Sequence, residues 1–152
     1  MTTFYVDIAK ILDRVDVKVL YKSRNIKKDG TSDFYQLSIV DAHGFLKEKI
    51  YSISSKIFSE ELSAYSSTSG SFVYDEDNVF FKVEFPSTFN VALIPSIERS
   101  IEDVIVNWTV FQWMYNSNYE YRKDEEEYLK SIDGLRSLIT RRKNLVRTYK
   151  LY

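Results

Sequence analysis

Apolar residues follow a helical period most clearly over residues 95–115. They recur there at alternating intervals of three and four, as on one seam of a packed helix. Pro95 can begin this helix, because a proline at the first helical position lacks only an amide that has no intrahelical partner. The seam consists of Ile97, Ile101, Val104, Trp108, Phe111 and Tyr115. Most flanking positions are also apolar, which predicts a central helix or one shared with a partner.

A second helical pattern covers residues 124–146. Acidic residues open it, where they complement the positive end of the helix dipole. Its apolar positions are Tyr128, Ile132, Leu135, Ile139 and Val146. Arg142 occupies the same face near the end, where its stem can pack while its charged group reaches water.

The first third of the chain has weaker patterns. Phe4, Ile8 and Leu12 predict a short helix over residues 3–14. The alternating apolar residues of 15–21 then predict an extended segment. A basic surface loop is expected over residues 22–33, with a turn at Asp29 and Gly30.

Residues 34–53 fit two structures. Gly44 could close a hairpin, or a helix could begin near Asp41 and run to Tyr65. The helical stripe comprises Leu46, Ile50, Ile53, Ile57, Phe58, Leu62 and Tyr65. A pattern sustained over some twenty residues is too long for a hairpin strand, so we favour the helix over residues 41–65.

The clearest β-hairpin covers residues 71–85. Phe72 and Tyr74 lead into a polar turn, and alternating apolar residues from Val79 to Phe85 follow it. An isolated hairpin is marginal in water, so this one must pack on the helices or pair with a neighbouring chain. The predicted fold is mainly α (α+β): a single domain over residues 1–152, bundle-like, with four helices and one inserted β-hairpin.

Composition excludes several classes of protein. The chain has 152 residues and no cysteine, which excludes disulfide scaffolds and thiolate metal sites. The first residues show no signal-peptide pattern, and no apolar run is long enough to span a membrane. The four glycines form no phosphate-binding motif.

Candidate catalytic chemistry is sparse. His43 is the only histidine, and no nucleophile motif accompanies it. The acids of residues 124–127 point to different faces of a helix and do not converge on one ion. The acids of the turn 75–77 are a weak cation candidate, and an ordinary polar turn explains them. We therefore predict no catalytic, cofactor-binding or metal-binding residues, no cofactor, no small-molecule substrate, and a protein that is not an enzyme.

Charge is concentrated after Asp133, beyond which no acid follows. The cations of this region are Arg136, Arg141, Arg142, Lys143, Arg147 and Lys150. They predict a basic C-terminal tail, from about residue 141 to 152, that faces an anionic protein or DNA. The alternative is a solvated helix end whose cations suit the dipole.

The aromatic residues of 107–121 have two explanations. Trp108, Phe111 and Tyr115 lie on the helical seam, which favours core or subunit interface over a nucleic-acid stacking platform. Other aromatic residues lie off the seam or on the hairpin, and tyrosine is enriched at interfaces. The candidate interface residues are Phe72, Tyr74, Phe81, Trp113, Tyr119 and Tyr121.

The order of these elements resembles the ring or head–tail connector (neck) proteins of crAss-like tailed bacteriophages. The similar segments are "FYVDIAKILDRV", "FYQLSIVDAHGFLKEKIYSISSKIFSEELSAY", "VFFKVEFPSTFN", "LIPSIERSIEDVIVNWTVFQWMY" and "DEEEYLKSIDGLRSLITRRKN". They resemble the family's short first helix, amphipathic second helix, hairpin with an aromatic-proline end, central helix with an aromatic end, and acidic-start last helix.

The resemblance implies a non-enzymatic virion protein. Its copies would form a closed ring, expected to be twelve-fold, between the portal and the tail. The implied partners are other copies of the chain, the portal protein, adjacent ring or tail proteins and, at the basic tail, DNA in the channel. The hairpin edge would be a place for strand addition from another chain. A small helical domain that binds nucleic acid through the basic tail, or acts as a regulator, is the alternative function.

Overall fold

The computed structural model describes residues 1–26, 40–65, 72–117 and 119–140. These residues form four α-helices and a small three-stranded antiparallel sheet, which confirms the predicted mainly α fold with a β-hairpin. In chain order the elements are β1 (Thr2–Asp7), α1 (Ile8–Ile26), α2 (Val40–Lys56), β2 (Phe72–Tyr74), β3 (Asn78–Val83), α3 (Ile94–Asn116) and α4 (Arg122–Thr140). None of these helices is long and apolar enough to cross a bilayer.

The prediction for the first third of the chain is right for the helical residues 8–14 and wrong on either side of them. Residues 3–14 divide into the end of β1 and the start of α1, because the β-branched and aromatic residues of β1 pair with β3. The side chain of Asp7 accepts a hydrogen bond from the Lys10 amide at 3.1 Å and begins α1. The expected extended segment 15–21 is helical, with Val15 and Val19 buried one turn apart. Of the expected loop 22–33, residues 22–26 belong to α1 and the rest lie outside the described residues.

The second predicted helix is present from residue 40 onward, so the hairpin alternative is wrong there. Residues 34–39 lie outside the described residues. The regular helix ends at Lys56 and continues as a π-helical turn, Ile57–Glu61, and a 3₁₀ turn, Ser63–Tyr65. The expected apolar stripe faces the core: Leu46, Ile50, Ile53, Ile57, Leu62 and Tyr65 are buried.

The predicted hairpin is a part of a larger sheet. The strand order is β1-β3-β2, so β3 is central and β1 covers one of its sides. Val79, Phe81 and Val83 point into the core. The side chain of Asp75 accepts the amides of Asp77 and Asn78 at 2.9 and 2.7 Å, which makes this an ordinary Asx-type turn. Within the described ranges no cluster of His, Asp and Glu is arranged to hold a metal ion.

Helix α3 covers the predicted range 95–115, but only the first half of the predicted seam is buried. Ile97, Ile101 and Val104 lie in the core, whereas Trp108 and Phe111 are half-buried and Tyr115 is exposed. The buried side continues instead through Ile105, Val106, Thr109, Val110 and Met114. A straight helix drifts by about 20° per heptad away from a 3.5-residue seam, and this drift moves the last seam residues outward.

Helix α4 keeps its predicted seam. Tyr128, Ile132, Leu135 and Ile139 are buried against α3. The predicted helix runs to residue 146, and its residues 141–146 lie outside the described ranges. The acidic start is only partly exposed, because Asp124 is buried and forms an ion pair with Lys22.

A row of cations fixes α1 against α3 and α4. Lys10, Arg14, Lys18 and Lys22 recur at every fourth position and therefore lie along one helix face. Their partners, in the same order, are Glu102 at 2.9 Å, Asp103 at 2.5 Å, Asn107 at 2.6 Å, and Asp124. The pairing orients α1 parallel to α3, with its end near the start of α4.

Candidate assembly surfaces

The two ends of α3 carry different exposed surfaces. Tyr5 of β1 lines a cavity together with Pro95 and Glu98, which places the sheet at the start of α3. Tyr115 lies at the other end of the same helix. Since an α-helix rises about 1.5 Å per residue, roughly 30 Å separates Pro95 from Tyr115 along the helix.

The far end of α3 carries three tyrosines, Tyr115, Tyr119 and Tyr121, which we call the tyrosine end. Together with Asn116 they line an open cavity of about 410 Å³. The Tyr119 amide donates to the Met114 carbonyl at 3.0 Å, which turns the chain back toward α4. The ring centroids of Tyr115 and Tyr121 lie 5.1 Å apart, and 53% of Tyr115 is exposed.

A series of aromatic contacts connects the tyrosine end to the interface between α3 and α4. Phe111 contacts both Tyr121, at 5.8 Å between centroids, and Tyr128, at 6.4 Å. Trp108 continues the series against Tyr128 at 4.9 Å. The Tyr115 and Tyr121 rings of the tyrosine end therefore pack on the half-buried Phe111, which stacks on the buried Tyr128. They present a preformed surface with little side-chain entropy left to lose on binding.

Trp113 does not belong to this exposed surface. Its ring packs edge-on against Phe45 at 6.2 Å and joins α3 to α2. Its indole nitrogen is buried and has no hydrogen-bond partner among the described residues. Trp113, predicted as an interface residue, thus acts mainly in the contact between two helices.

The sheet presents a second surface, the sheet face, formed by Tyr5, Phe80 and Val73. The three residues are neighbours across the strands, since Phe80 pairs with Tyr5 on one side and with Val73 on the other. Tyr5 is 55% exposed and Val73 is 46% exposed. This surface is not predicted from the sequence, because the pattern over β1 favours a helix. The run of β-branched and aromatic residues from Thr2 to Val6 is the signal that could have revealed it.

The hairpin residues predicted for the interface have three different environments. Phe81 is fully buried in the core, so its assignment to an interface is wrong. Phe72 is half-buried and contacts the rings of Phe81 and Phe58. Tyr74 is 56% exposed and stacks on Tyr51 at 4.5 Å. Of the three, Tyr74 alone keeps most of its surface available to another chain.

Tyr51 ties this hairpin to α2. Its hydroxyl donates to the Asp75 carbonyl at 3.1 Å. Partial desolvation raises the pKa of Tyr51, and the neighbouring Tyr74 and the turn acids raise it further. The phenol therefore stays protonated and keeps its donor at neutral pH.

Arg136, predicted as part of the cationic tail, belongs to α4. Its guanidinium donates to both carboxylate oxygens of Glu61 at 2.8–3.0 Å and lies 3.7 Å from Asp133. The hydrogen bond to Glu61 raises the pKa of Arg136 further above its usual value. Arg136 thus links α4 to the π-helical turn. The other predicted tail residues, Arg141, Arg142, Lys143, Arg147 and Lys150, lie outside the described residues.

His43 lies on α2 near Asp16 of α1. Burial raises the pKa of the Asp16 carboxyl, which His43 partly opposes. The His43 Nε2 and one Asp16 carboxylate oxygen are buried without a hydrogen-bond partner among the described residues. The partly buried Asp16 and His43 therefore lie close to each other between two helices of the bundle, α1 and α2.

No family model, curated protein or solved structure matches this chain.

Proposed function

We propose that the protein is a non-enzymatic structural subunit of an oligomeric neck ring that joins the portal to the tail in a crAss-like phage virion. It would be made in the host cytoplasm and function in the virion. The observation that carries the proposal is the presence of two different exposed aromatic surfaces, the sheet face and the tyrosine end, at opposite ends of α3.

Two different surfaces suit a ring. A two-fold dimer uses one self-complementary patch, whereas a closed ring of identical subunits uses two patches that fit each other. Exposed tyrosines are enriched at protein interfaces. The tyrosine end is also preformed, because the Phe111 ring contacts the rings of Tyr115 and Tyr121. Phe111 itself stacks on Tyr128.

The phage assignment is supported by the order of elements. An amphipathic helix, a hairpin, a long central helix with an aromatic end and an acidic-start last helix follow one another as in the neck proteins that the sequence resembles. The partners in this proposal are further copies of the chain in a twelve-fold ring, the portal protein and the adjacent ring or tail proteins.

The experiment is a concentration series of the full-length chain, with masses from native mass spectrometry and particle shapes from negative-stain electron microscopy. We expect closed rings, and their loss in Tyr121→Ser and Val73→Ser. Leu129→Ser is the matched control, because Leu129 is an exposed apolar residue outside both surfaces. A chain that stays monomeric and binds DNA with a steep dependence on salt would instead support a nucleic-acid-binding domain.

A further inference from the structure

A charged groove lies between β1 and the start of α3. Its volume is about 300 Å³. The residues that line it include Tyr5 and Asp7 from β1, Lys10 from α1, and Glu98, Arg99 and Glu102 from α3. The groove is separate from the tyrosine end and shares only Tyr5 with the sheet face.

The groove follows an open strand edge. Among the described strands, β1 pairs with β3 on one side and with no strand on the other. In an antiparallel strand every second residue directs its amide and carbonyl away from its partner, so β1 offers hydrogen-bonding groups along this edge. An extended segment can add to such an edge, with its side chains entering the adjacent groove.

The charges of the groove favour a cationic segment. Three carboxylates and two cations line it. Lys10 is already paired with Glu102 at 2.9 Å. The half-buried Glu98 has no ion-pair partner among the described residues, and it is the carboxylate most available to an incoming cation.

We infer that this groove takes residues 141–152 of a neighbouring copy, added as a strand to the edge of β1. This inference rests on the proposed ring. The segment, "RRKNLVRTYKLY", carries five cations and no acid, and its Thr148 and Tyr149, which lie beyond the predicted helix, are of residue types that strands favour. It follows α4 directly, and its twelve residues span roughly 40 Å when extended. That reach is sufficient to leave one subunit and meet the next.

The segment 141–152 and the groove that receives it can be altered in separate variants. Glu98→Arg reverses the groove charge and leaves the segment intact. Arg147→Glu with Lys150→Glu reverses the segment charge and leaves the groove intact. Glu48→Arg is the control, because Glu48 is an exposed acid of α2 that does not line the groove. Circular dichroism checks that each full-length variant folds.

We expect each charge-reversed chain alone to assemble at least tenfold more weakly than the wild type or Glu48→Arg. An equimolar mixture should form one-to-one pairs in native mass spectrometry, because one intact segment then meets one intact groove. A labelled peptide of residues 141–152 should bind the Arg147→Glu/Lys150→Glu chain at least tenfold more tightly than the Glu98→Arg chain.

Three results would overturn the inference. A mixture that gives no pairs while the peptide binds would mean that the segment, when attached to α4, does not reach the groove of another copy. Peptide binding that is equal for both variants would mean that the groove is not the acceptor. If the wild type and both variants form the same rings, the inference fails while the proposed function stands; if rings never form, the proposed function fails by its own test.

Discussion

Lys22 of α1 forms an ion pair with Asp124, whose side chain is 3% exposed at the first turn of α4. Burial lowers the pKa of Lys22, while the neighbouring Glu127 opposes that effect. Removing one member of a buried pair leaves the other charge desolvated and unpaired. We expect Asp124→Asn to lower the free energy of unfolding by about 2 kcal/mol, less than for a deeply buried pair because Lys22 keeps partial exposure.

Urea unfolding measures this change. Glu126→Gln is the control, because Glu126 is an exposed acid one turn from the same helix start. Equal losses for both variants would mean that the pair adds nothing beyond the helix dipole.

Asp16 should make stability depend on pH. Its pKa in the folded protein is raised above the unfolded value of 3.8 by burial, so the charged carboxylate destabilises the fold above the folded pKa. This cost is relieved as the pH falls through the folded pKa toward 3.8. We expect Asp16→Asn to raise Tm at pH 7, and the difference from wild type to shrink as the medium is acidified. A constant difference for Asp16→Asn at all pH values would contradict the assignment.

Substitutions on the two faces of β3 should differ in their effect on the free energy of unfolding. Phe81 pairs with Phe4 on the buried face, whereas the adjacent Phe80 lies on the sheet face. We expect Phe81→Ala to cost about 3–5 kcal/mol, because it leaves a cavity in the core. Phe80→Ala should cost less than half of that. Guanidinium unfolding of both variants decides the question, and a reversed order would mean that the strand register is shifted.

Arg136 should contribute to stability and not to binding of nucleic acid. We expect Arg136→Ala to lose about 1 kcal/mol through the lost pairing with Glu61. Lys130→Ala, on the exposed side of the same helix, should be close to neutral. A DNA titration that weakens for Arg136→Ala and not for Lys130→Ala would place Arg136 on a binding surface after all.

The sequence predicted the fold best where apolar residues kept one helical period over several turns. Leu46 to Ile57 and Tyr128 to Ile139 repeat over three or more turns, and both stripes face the core. It was least informative at residues 3–7, where apolar spacing fits a helix but the pairing of Phe4 with Phe81 produces a strand. That partner is distant in the chain, so local pattern alone could not reveal it. Because β1 was not predicted as a strand, the sheet face was not predicted either.

Local pattern likewise identified some of the candidate site residues and misplaced those whose environment depends on distant contacts. Tyr119 and Tyr121 were predicted as interface residues because they lie outside a regular pattern, and both line one cavity. Phe81 was misassigned because alternation along a strand does not say which face is covered. Arg136 was grouped with the cations that follow it, because its partner Glu61 is distant in sequence.

The row of cations on α1 restricts insertions more than substitutions. Each of Lys10, Arg14, Lys18 and Lys22 meets its own partner on α3 or α4. Exchanging one cation for another keeps the row, but inserting one residue after Lys10 rotates every later cation by about 100° around the helix. In related chains, the cations of α1 should therefore exchange for one another more readily than the length of the helix changes.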